Sequence, residues 1–150
     1  MTMTSPSSSV LRLDARFESL AEVRLFVQES LARLGATEDQ NDALVHAADE
    51  AATNVIEHGY GGGPGSIEIL VERDGEEFAV RLRDGARVFD PTGHPPPDLS
   101  LSPDQRPLGG LGIHIMRSLV NRMRHRPLSG GGNELSLFVG DSSRRPEGRP

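Results

Sequence analysis

The stretch Ser66-Ile67-Glu68-Ile69-Leu70-Val71-Glu72-Arg73-Asp74-Gly75-Glu76-Glu77-Phe78-Ala79-Val80-Arg81-Leu82-Arg83-Asp84 decides the fold class of this 150-residue chain. Ile67, Ile69 and Val71 recur at every second position, as do Phe78, Val80 and Leu82, the period of strands with one buried face. Asp74-Gly75 between the two runs is a tight-turn pair, so strands over 66–73 and 77–83 form an antiparallel hairpin. Strands that pair with their sequence neighbours do not alternate one-for-one with helices, which disfavours a doubly wound parallel sheet.

Upstream of the hairpin the period changes. Leu20, Val23, Phe26, Val27, Leu31 and Leu34 fall on one face of a helix over 19–33, which Gly35 ends. Thr37, with Gln40 three residues later, makes a capping box that opens a second helix. Its stripe is Leu44, Ala47, Ala48, Ala51 and Val55, and it runs out at Glu57-His58-Gly59 before a Gly/Pro-rich loop over 59–65. Downstream, residues 91 to 108 hold six prolines and read as an ordered, irregular loop long enough to be a functional lid. A third helix starts near Gly110, with Ile113, Met116, Leu119, Val120 and Met123 at helical spacing. A last strand, 133–139, follows three glycines, with an additional strand near 124–128. Val10, Leu11 and Leu13 mark a short first strand.

The Ser/Thr-rich residues 1–9 are expected to be a disordered tail, 10–139 the folded domain and 140–150 a mobile polar tail. The order β-α-α-β-β-lid-α-β gives an α+β two-layer sandwich, helices on one face of a mostly antiparallel, mixed sheet.

Composition narrows the function. A hydrophobic share of 35% with 25% charged residues is ordinary for a globular domain. The formal charge of -6, with a pI near 5.3, speaks against binding a nucleic-acid backbone directly. No apolar run reaches membrane-span length, the first residues lack a signal peptide's pattern, and cysteine is absent, so the expectation is a cytoplasmic protein without a membrane partner. Every basic residue other than histidine is Arg, so the Gly-x-x-x-x-Gly-Lys loop of P-loop NTPases is excluded. Neither His-Glu-x-x-His nor Gly-x-Ser-x-Gly occurs, and His94, His114 and His125 have no metal-ligand spacing.

Three motifs carry candidate chemistry. Glu50 and Asn54 lie one helical turn apart on one face, beside the apolar stripe. An Asn oxygen suits Mg²⁺ when phosphates bring most of the other ligands, and a Glu can polarise a hydroxyl aimed at a γ-phosphorus. Asp84 leaves the hairpin's second strand, where a carboxylate can accept from an exocyclic amino group of a base; Phe89-Asp90-Pro91 adds an apolar wall. Gly109, Gly110 and Gly112 open the third helix, whose free N–H groups favour anions.

In this order and spacing, Asp49-Glu50-Ala51-Ala52-Thr53-Asn54 with His58-Gly59-Tyr60, Arg83-Asp84 through Phe89-Asp90-Pro91, Leu108-Gly109-Gly110-Leu111-Gly112-Ile113 with Met116, and Gly132-Asn133-Glu134-Leu135 resemble the GHKL (Bergerat-fold) ATPases. Within them the chain is similar to the anti-sigma factor serine kinases of the RsbW and SpoIIAB type, over about residues 10 to 139. The resemblance implies a histidine-kinase-like ATPase fold that binds ATP and Mg²⁺. By it, Glu50 is the general base, Asn54 the Mg²⁺ ligand and Asp84 the contact to the adenine amino group, with Ala86 and Phe89 beside the base. Residues 92–108 are the ATP lid, Gly109, Gly110 and Gly112 hold phosphates, and Arg106 contacts the γ-phosphate. It further implies a homodimer that holds a sigma factor and phosphorylates an anti-sigma factor antagonist on Ser or Thr. The first helix and strand, with more apolar residues than one sheet face needs, agree with self-association.

Ala86 and Val88 depart from the family's pattern, which commonly has glycine at both positions. Ala at 86 is expected to remove positive-φ tolerance and to narrow the adenine end. A non-catalytic binding module of the same fold, with ATP absent or only structural, is the alternative these positions keep open.

Overall fold

The computed structural model describes residues 2–5, 8–93, 100–102, 104 and 110–140. Among them are β1 (Thr2–Ser5), β2 (Ser8–Asp14), α1 (Leu20–Leu34), α2 (Glu38–Asn54), β3 (Ser66–Asp74), β4 (Glu77–Asp84), α3 (Gly110–Leu119), β5 (Arg122–Pro127) and β6 (Asn133–Val139). The strands form one sheet in the order β1-β2-β3-β4-β6-β5, with every neighbouring pair antiparallel. The hairpin that decides the fold class is the sheet's centre: Ile67 faces Asp84, Ile69 faces Leu82 and Val71 faces Val80.

The expected alternation holds. Ile67, Ile69, Val71, Phe78, Val80 and Leu82 are all buried, as is Leu137 of β6, and they meet Val23, Val27 and Leu31 of α1 and Leu44, Ala47, Ala48 and Ala51 of α2 in one core. The opposite sheet face is open and covers itself with charge. Arg81 pairs with Glu72 (2.7 Å), Arg122 with Glu77 (2.7 Å), and Arg83 and Arg126 both with Glu134 (2.6 and 3.1 Å). The Arg122 guanidinium also stacks 3.7 Å above the Phe138 ring, which keeps that outward-facing aromatic almost dry.

The predicted capping box is formed: Thr37 Oγ1 accepts from the Gln40 N–H at 3.1 Å, and Gln40 Oε1 accepts from the Thr37 N–H at 2.8 Å. Gln40 also donates to the Gly140 carbonyl at 2.6 Å, tying the start of α2 to the far end of β6. Gly35, at φ 92°, ends α1. At its other end α2 passes into a π-helical turn, Val55–Gly59, where Tyr60 N–H reaches back to the Val55 carbonyl (2.9 Å) and Gly62 N–H to that of Ile56 (2.9 Å).

Two expectations need correction. Residues 2–5 are not a disordered tail but an edge strand paired with β2, and Ser8 and Ser9 are buried. Pairing satisfies backbone groups in a way that composition alone does not reveal. The expectations for residues 94–99, 105–109 and 141–150, most of the lid and the C-terminal tail, lie outside the described residues. The additional strand is present as β5, beginning two residues before the expected 124 and ending one before the expected 128.

Gly132 is the tightest backbone point near the end of β4. Its φ is 108°, and a Cβ there would overlap the Asp84 carbonyl oxygen, whereas Gly131, at φ 105°, has open space around it. Gly132→Ala should therefore cost about 3 kcal/mol or more, and Gly131→Ala only the conformational cost of about 1–2 kcal/mol. Urea unfolding of the two variants checks this, and equal losses would show that the overlap is relieved by a small backbone shift.

Candidate functional site

A cavity of about 270 Å³ opens where α2, β4, α3 and the β5–β6 pair converge, near the small end of ligand-site volumes. The C-terminal end of α2 and the π-helical turn give one wall, with Asn54, Val55, His58 and Gly59. Adding a residue to the last turn widens it and turns these side chains toward the β4 exit, a common use of π-bulges. Asp84, Arg87, Phe89 and Pro91 form the opposite side, and Ile113, His125, Asn133 and Leu135 the floor.

The turn after Asp84 is held from three directions. Asp84 Oδ1 accepts from the Ala86 N–H (2.9 Å) and from Asn133 Nδ2 (3.0 Å). The Tyr60 hydroxyl donates to the Ser66 carbonyl (2.8 Å) and accepts the Gly85 N–H (2.7 Å). Gly65 makes room for that ring, since any Cβ there would overlap it. Further on, Arg117 of α3 donates to the carbonyls of Pro91 and Thr92, both at 3.0 Å, and so ties the start of the 91–108 segment to α3. Burial pushes the Asp84 carboxyl above its ordinary range, opposed by the hydrogen bonds from Asn133 and Ala86 and by the charge of His125.

The structure brings Asn54, Asp84 and Phe89 to one cavity. Glu50 stands apart from that lining. A Cβ placed on Gly112 would lie 3.0 Å from Glu50 Oε2, so this carboxylate rests against the first turn of α3, with Oε1 3.7 Å from His46 Nε2. A carboxylate beside a helix N-terminus is favoured by the helix dipole. Gly110 is the first residue of α3. Arg106 and Gly109 lie outside the described residues.

Ala86 does not line the cavity. It is buried behind the wall, where a Cβ added to Gly59 would lie 3.1 Å from its methyl group. No residue other than glycine has positive φ among the described residues, so Ala86 costs no backbone strain, and Gly59 leaves the space its methyl needs. The expected narrowing is corrected accordingly: the methyl group of Ala86 is not part of the cavity lining.

Sequence reasoning gave no role in the site to His125, Asn133, His58 or Arg87, which line the cavity. The alternation Met123, His125 on β5 places the histidine on the core face, and Asn133 follows the three glycines that start β6. Both signals appear only once the β5–β6 register, in which His125 faces Leu135, is known.

Among the described residues, no helix is long and apolar enough to cross a membrane, and no group of three or more His, Asp or Glu could hold a metal ion.

Residues 13–139 match the family model of the histidine kinase-like ATPase domain. The serine-protein kinase RsbW of Bacillus subtilis (strain 168) is 30% identical over 125 residues, 80% of this chain and 78% of that one. RsbW of Bacillus pumilus is 27% identical over 136 residues, 86% of this chain and 84% of that one. The serine/threonine-protein kinase BtrW of Bordetella bronchiseptica is 30% identical over 95 residues, 63% of this chain and 66% of that one. In three dimensions the chain resembles the RsbU and RsbW domains of Rv1364c from Mycobacterium tuberculosis, with a TM-score of 0.56 and 22% identity. That likeness is one of fold; it covers 88% of this chain and about a third (32%) of the longer one.

A half-buried carboxylate with a raised pKa is held ionised at a cost to stability. That cost appears as pH rises through the unfolded value near 3.8 and is complete above the raised folded value. Asp84→Asn keeps an acceptor for Ala86 and Asn133 without the charge. Its melting temperature at pH 7.5 should equal or exceed that of the wild type, with the difference vanishing in acid below the carboxylate range. Thermal melts across pH check this; a variant clearly less stable at neutral pH would show that the ionised carboxylate stabilises the turn.

Proposed function

The chain belongs to the histidine kinase-like ATPase domain family, among relatives that are RsbW serine-protein kinases, and we propose that it is an ATP-dependent protein-serine/threonine kinase acting as an anti-sigma factor. It holds a sigma factor and, by phosphorylating a small antagonist protein, keeps that antagonist from competing. It does so in the cytoplasm and as a homodimer; the dimer is supported by two exposed apolar residues, Phe17 just ahead of α1 and Leu25 on it.

One observation carries this reading. A single helix offers Asn54 to the cavity that Asp84 borders and, one turn earlier, Glu50 to the first turn of α3. A nucleotide laid along that line meets Asp84 with its base and the N–H groups of Gly110 and Gly112 with its phosphates.

Magnesium fits this arrangement in one way. The described side chains hold no chelating cluster, which suits an ion carried by the phosphates, and Asn54 would supply a neutral oxygen to it. Once bound, Mg²⁺ would neutralise charge on the phosphates. The residues of the chain do the rest: α2 and α3 orient the triphosphate, and Glu50 takes the proton of the incoming hydroxyl. The hydroxyl oxygen bonds to the γ-phosphorus, the bond to the β–γ bridging oxygen breaks, and ADP leaves.

Glu50→Gln keeps the shape and removes the base. Phosphoryl transfer to the antagonist should fall by about 10²–10⁴-fold, while ATP affinity by isothermal titration stays within about threefold. A variant transferring at the wild-type rate removes Glu50 from the mechanism. A wild type that binds ATP and transfers nothing leaves the binding module as the better description. Light scattering should give twice the chain mass, and a monomer at tens of micromolar would contradict the dimer.

A further inference from the structure

The cavity floor contains a histidine that the proposed kinase chemistry does not use. His125 of β5 has only 4% of its side chain exposed, and its Nε2 lies 2.8 Å from Asn133 Oδ1. Its other ring nitrogen, Nδ1, is 3.9 Å from Asp90 Oδ1. Asn133, buried at the start of β6, is occupied on both ends of its amide. Nδ2 donates to Asp84 Oδ1 (3.0 Å) and to the Arg87 carbonyl (3.0 Å), and Oδ1 accepts the Phe89 N–H at 2.9 Å.

This pattern assigns both groups. The amide must place its NH₂ toward Asp84 and the Arg87 carbonyl, because the flipped amide would set one acceptor against two others and leave the Phe89 N–H facing a donor. The oxygen that remains toward His125 can only accept, so His125 carries its proton on Nε2. Asp84 is then supplied from one side: its Oδ1 takes Asn133 Nδ2 and the Ala86 N–H, and among the described residues no hydrogen bond reaches Oδ2.

We propose that His125, acting through Asn133, is the positioning residue that sets base selectivity, holding Asp84 so that Oδ2 is offered as an acceptor to a purine with an exocyclic amino group at C6 and rejects one with a carbonyl there. The inference rests on the nucleotide reading of the cavity. The link is directional. Were His125 to present a lone pair, Asn133 Oδ1 would face a second acceptor, and the amide, still held by the Arg87 carbonyl and the Phe89 N–H, would shift away from it and weaken its bond to Asp84. The carboxylate would then rest mainly on the Ala86 N–H, and a group held by one donor separates an amino from a carbonyl edge less sharply. A buried polar site discriminates most strongly when the wrong ligand leaves its groups unpaired, and that depends on the groups being fixed beforehand.

Two measurements test this. Nitrogen-15 NMR of the imidazole in the nucleotide-free wild type should show the Nε2–H tautomer for His125 at neutral pH; protonation at Nδ1 alone overturns the relay without reference to any nucleotide. ATP and GTP are then titrated calorimetrically into wild type, His125→Leu and His125→Gln, each first shown to melt cooperatively. His125→Leu, which has no donor, should bind ATP about tenfold more weakly and lose ATP-over-GTP preference by a similar factor, the cost of one misplaced buried hydrogen bond. His125→Gln, whose NH₂ can donate to Asn133, should stay within about threefold on both counts. Equal losses in the two variants, or a fall in ATP affinity with the ATP-to-GTP ratio unchanged, would assign His125 a packing role and overturn the proposal. A His125→Leu variant that binds like a wild type with measurable ATP affinity overturns the relay alone, whereas a wild type that binds neither nucleotide overturns the nucleotide reading and the relay with it.

Discussion

The close approach of α2 to the sheet is the constraint on which the rest depends. Ala47, Ala48, Ala51 and Ala52 are all buried, and they present methyl groups where most core helices present leucine or isoleucine. Small side chains let the helix axis sit low between α1, α3 and the inner faces of β4 and β6. Because the axis is low, Asn54 on the helix and Asp84 on a strand border the same cavity. One larger residue in this stripe would have to be paid for by lifting α2, at about 1–3 kcal/mol of overpacking and with loss of the shared wall. The stripe is thus at once core and site architecture. Its ends are fixed independently, by the capping box at Thr37 and the π-helical turn at Val55–Gly59.

A second layer of constraint lies in the polar network under the cavity. The core beneath the sheet is apolar and tolerates adjustment among similar volumes. The 84–91 turn is fixed instead by directional groups, namely Tyr60, Asn133, His125 and Arg117. Buried networks of this kind are costly when any member is unsatisfied, so they hold one geometry where a hydrophobic patch would hold several. Asp84 shows the balance directly: burial disfavours its charge, and the donors on Oδ1 offset part of that penalty. Such a carboxylate stabilises the fold poorly and recognises a hydrogen-bond donor well.

The sequence made the layered architecture legible because that architecture rests on local signals. The capping residues Thr37 and Gln40, the Asp74-Gly75 turn and the two periodicities are set by neighbours within a few positions, and each forms as read. Asn54, Asp84 and Phe89 were legible as a group by resemblance, through the order of short motifs. Properties set across the sheet were not legible. Whether Thr2–Ser5 pairs depends on an exposed edge at β2, which composition does not encode. In the sequence His125 is only a histidine without metal-ligand spacing; the β5–β6 register turns it inward and seats it 2.8 Å from Asn133. The fit of Ala86 is decided by Gly59, a residue 27 positions earlier whose missing side chain accommodates the methyl.

The spacing of Glu50 and Asn54 closes the functional argument. In the proposed reading a triphosphate enters a region where Asp84 and Glu57 already border the cavity and Glu50 lies against Gly112. Charges a few ångströms apart at partial burial repel by about 4 kcal/mol per pair, so a third carboxylate in place of Asn54 would hinder the nucleotide more than it would help the ion. A neutral amide avoids that cost while still supplying an oxygen. In that reading Glu50 must remain a carboxylate to take a proton, and α2 sets it about 6 Å from Asn54 along its axis, the rise of four residues. In-line transfer needs this separation, with the entering hydroxyl and its base on one side of the γ-phosphorus and the charge-neutralising groups toward the departing oxygens. A straight helix with side chains at i and i+4 supplies both the distance and a shared face, without any flexible loop to hold the two groups in register.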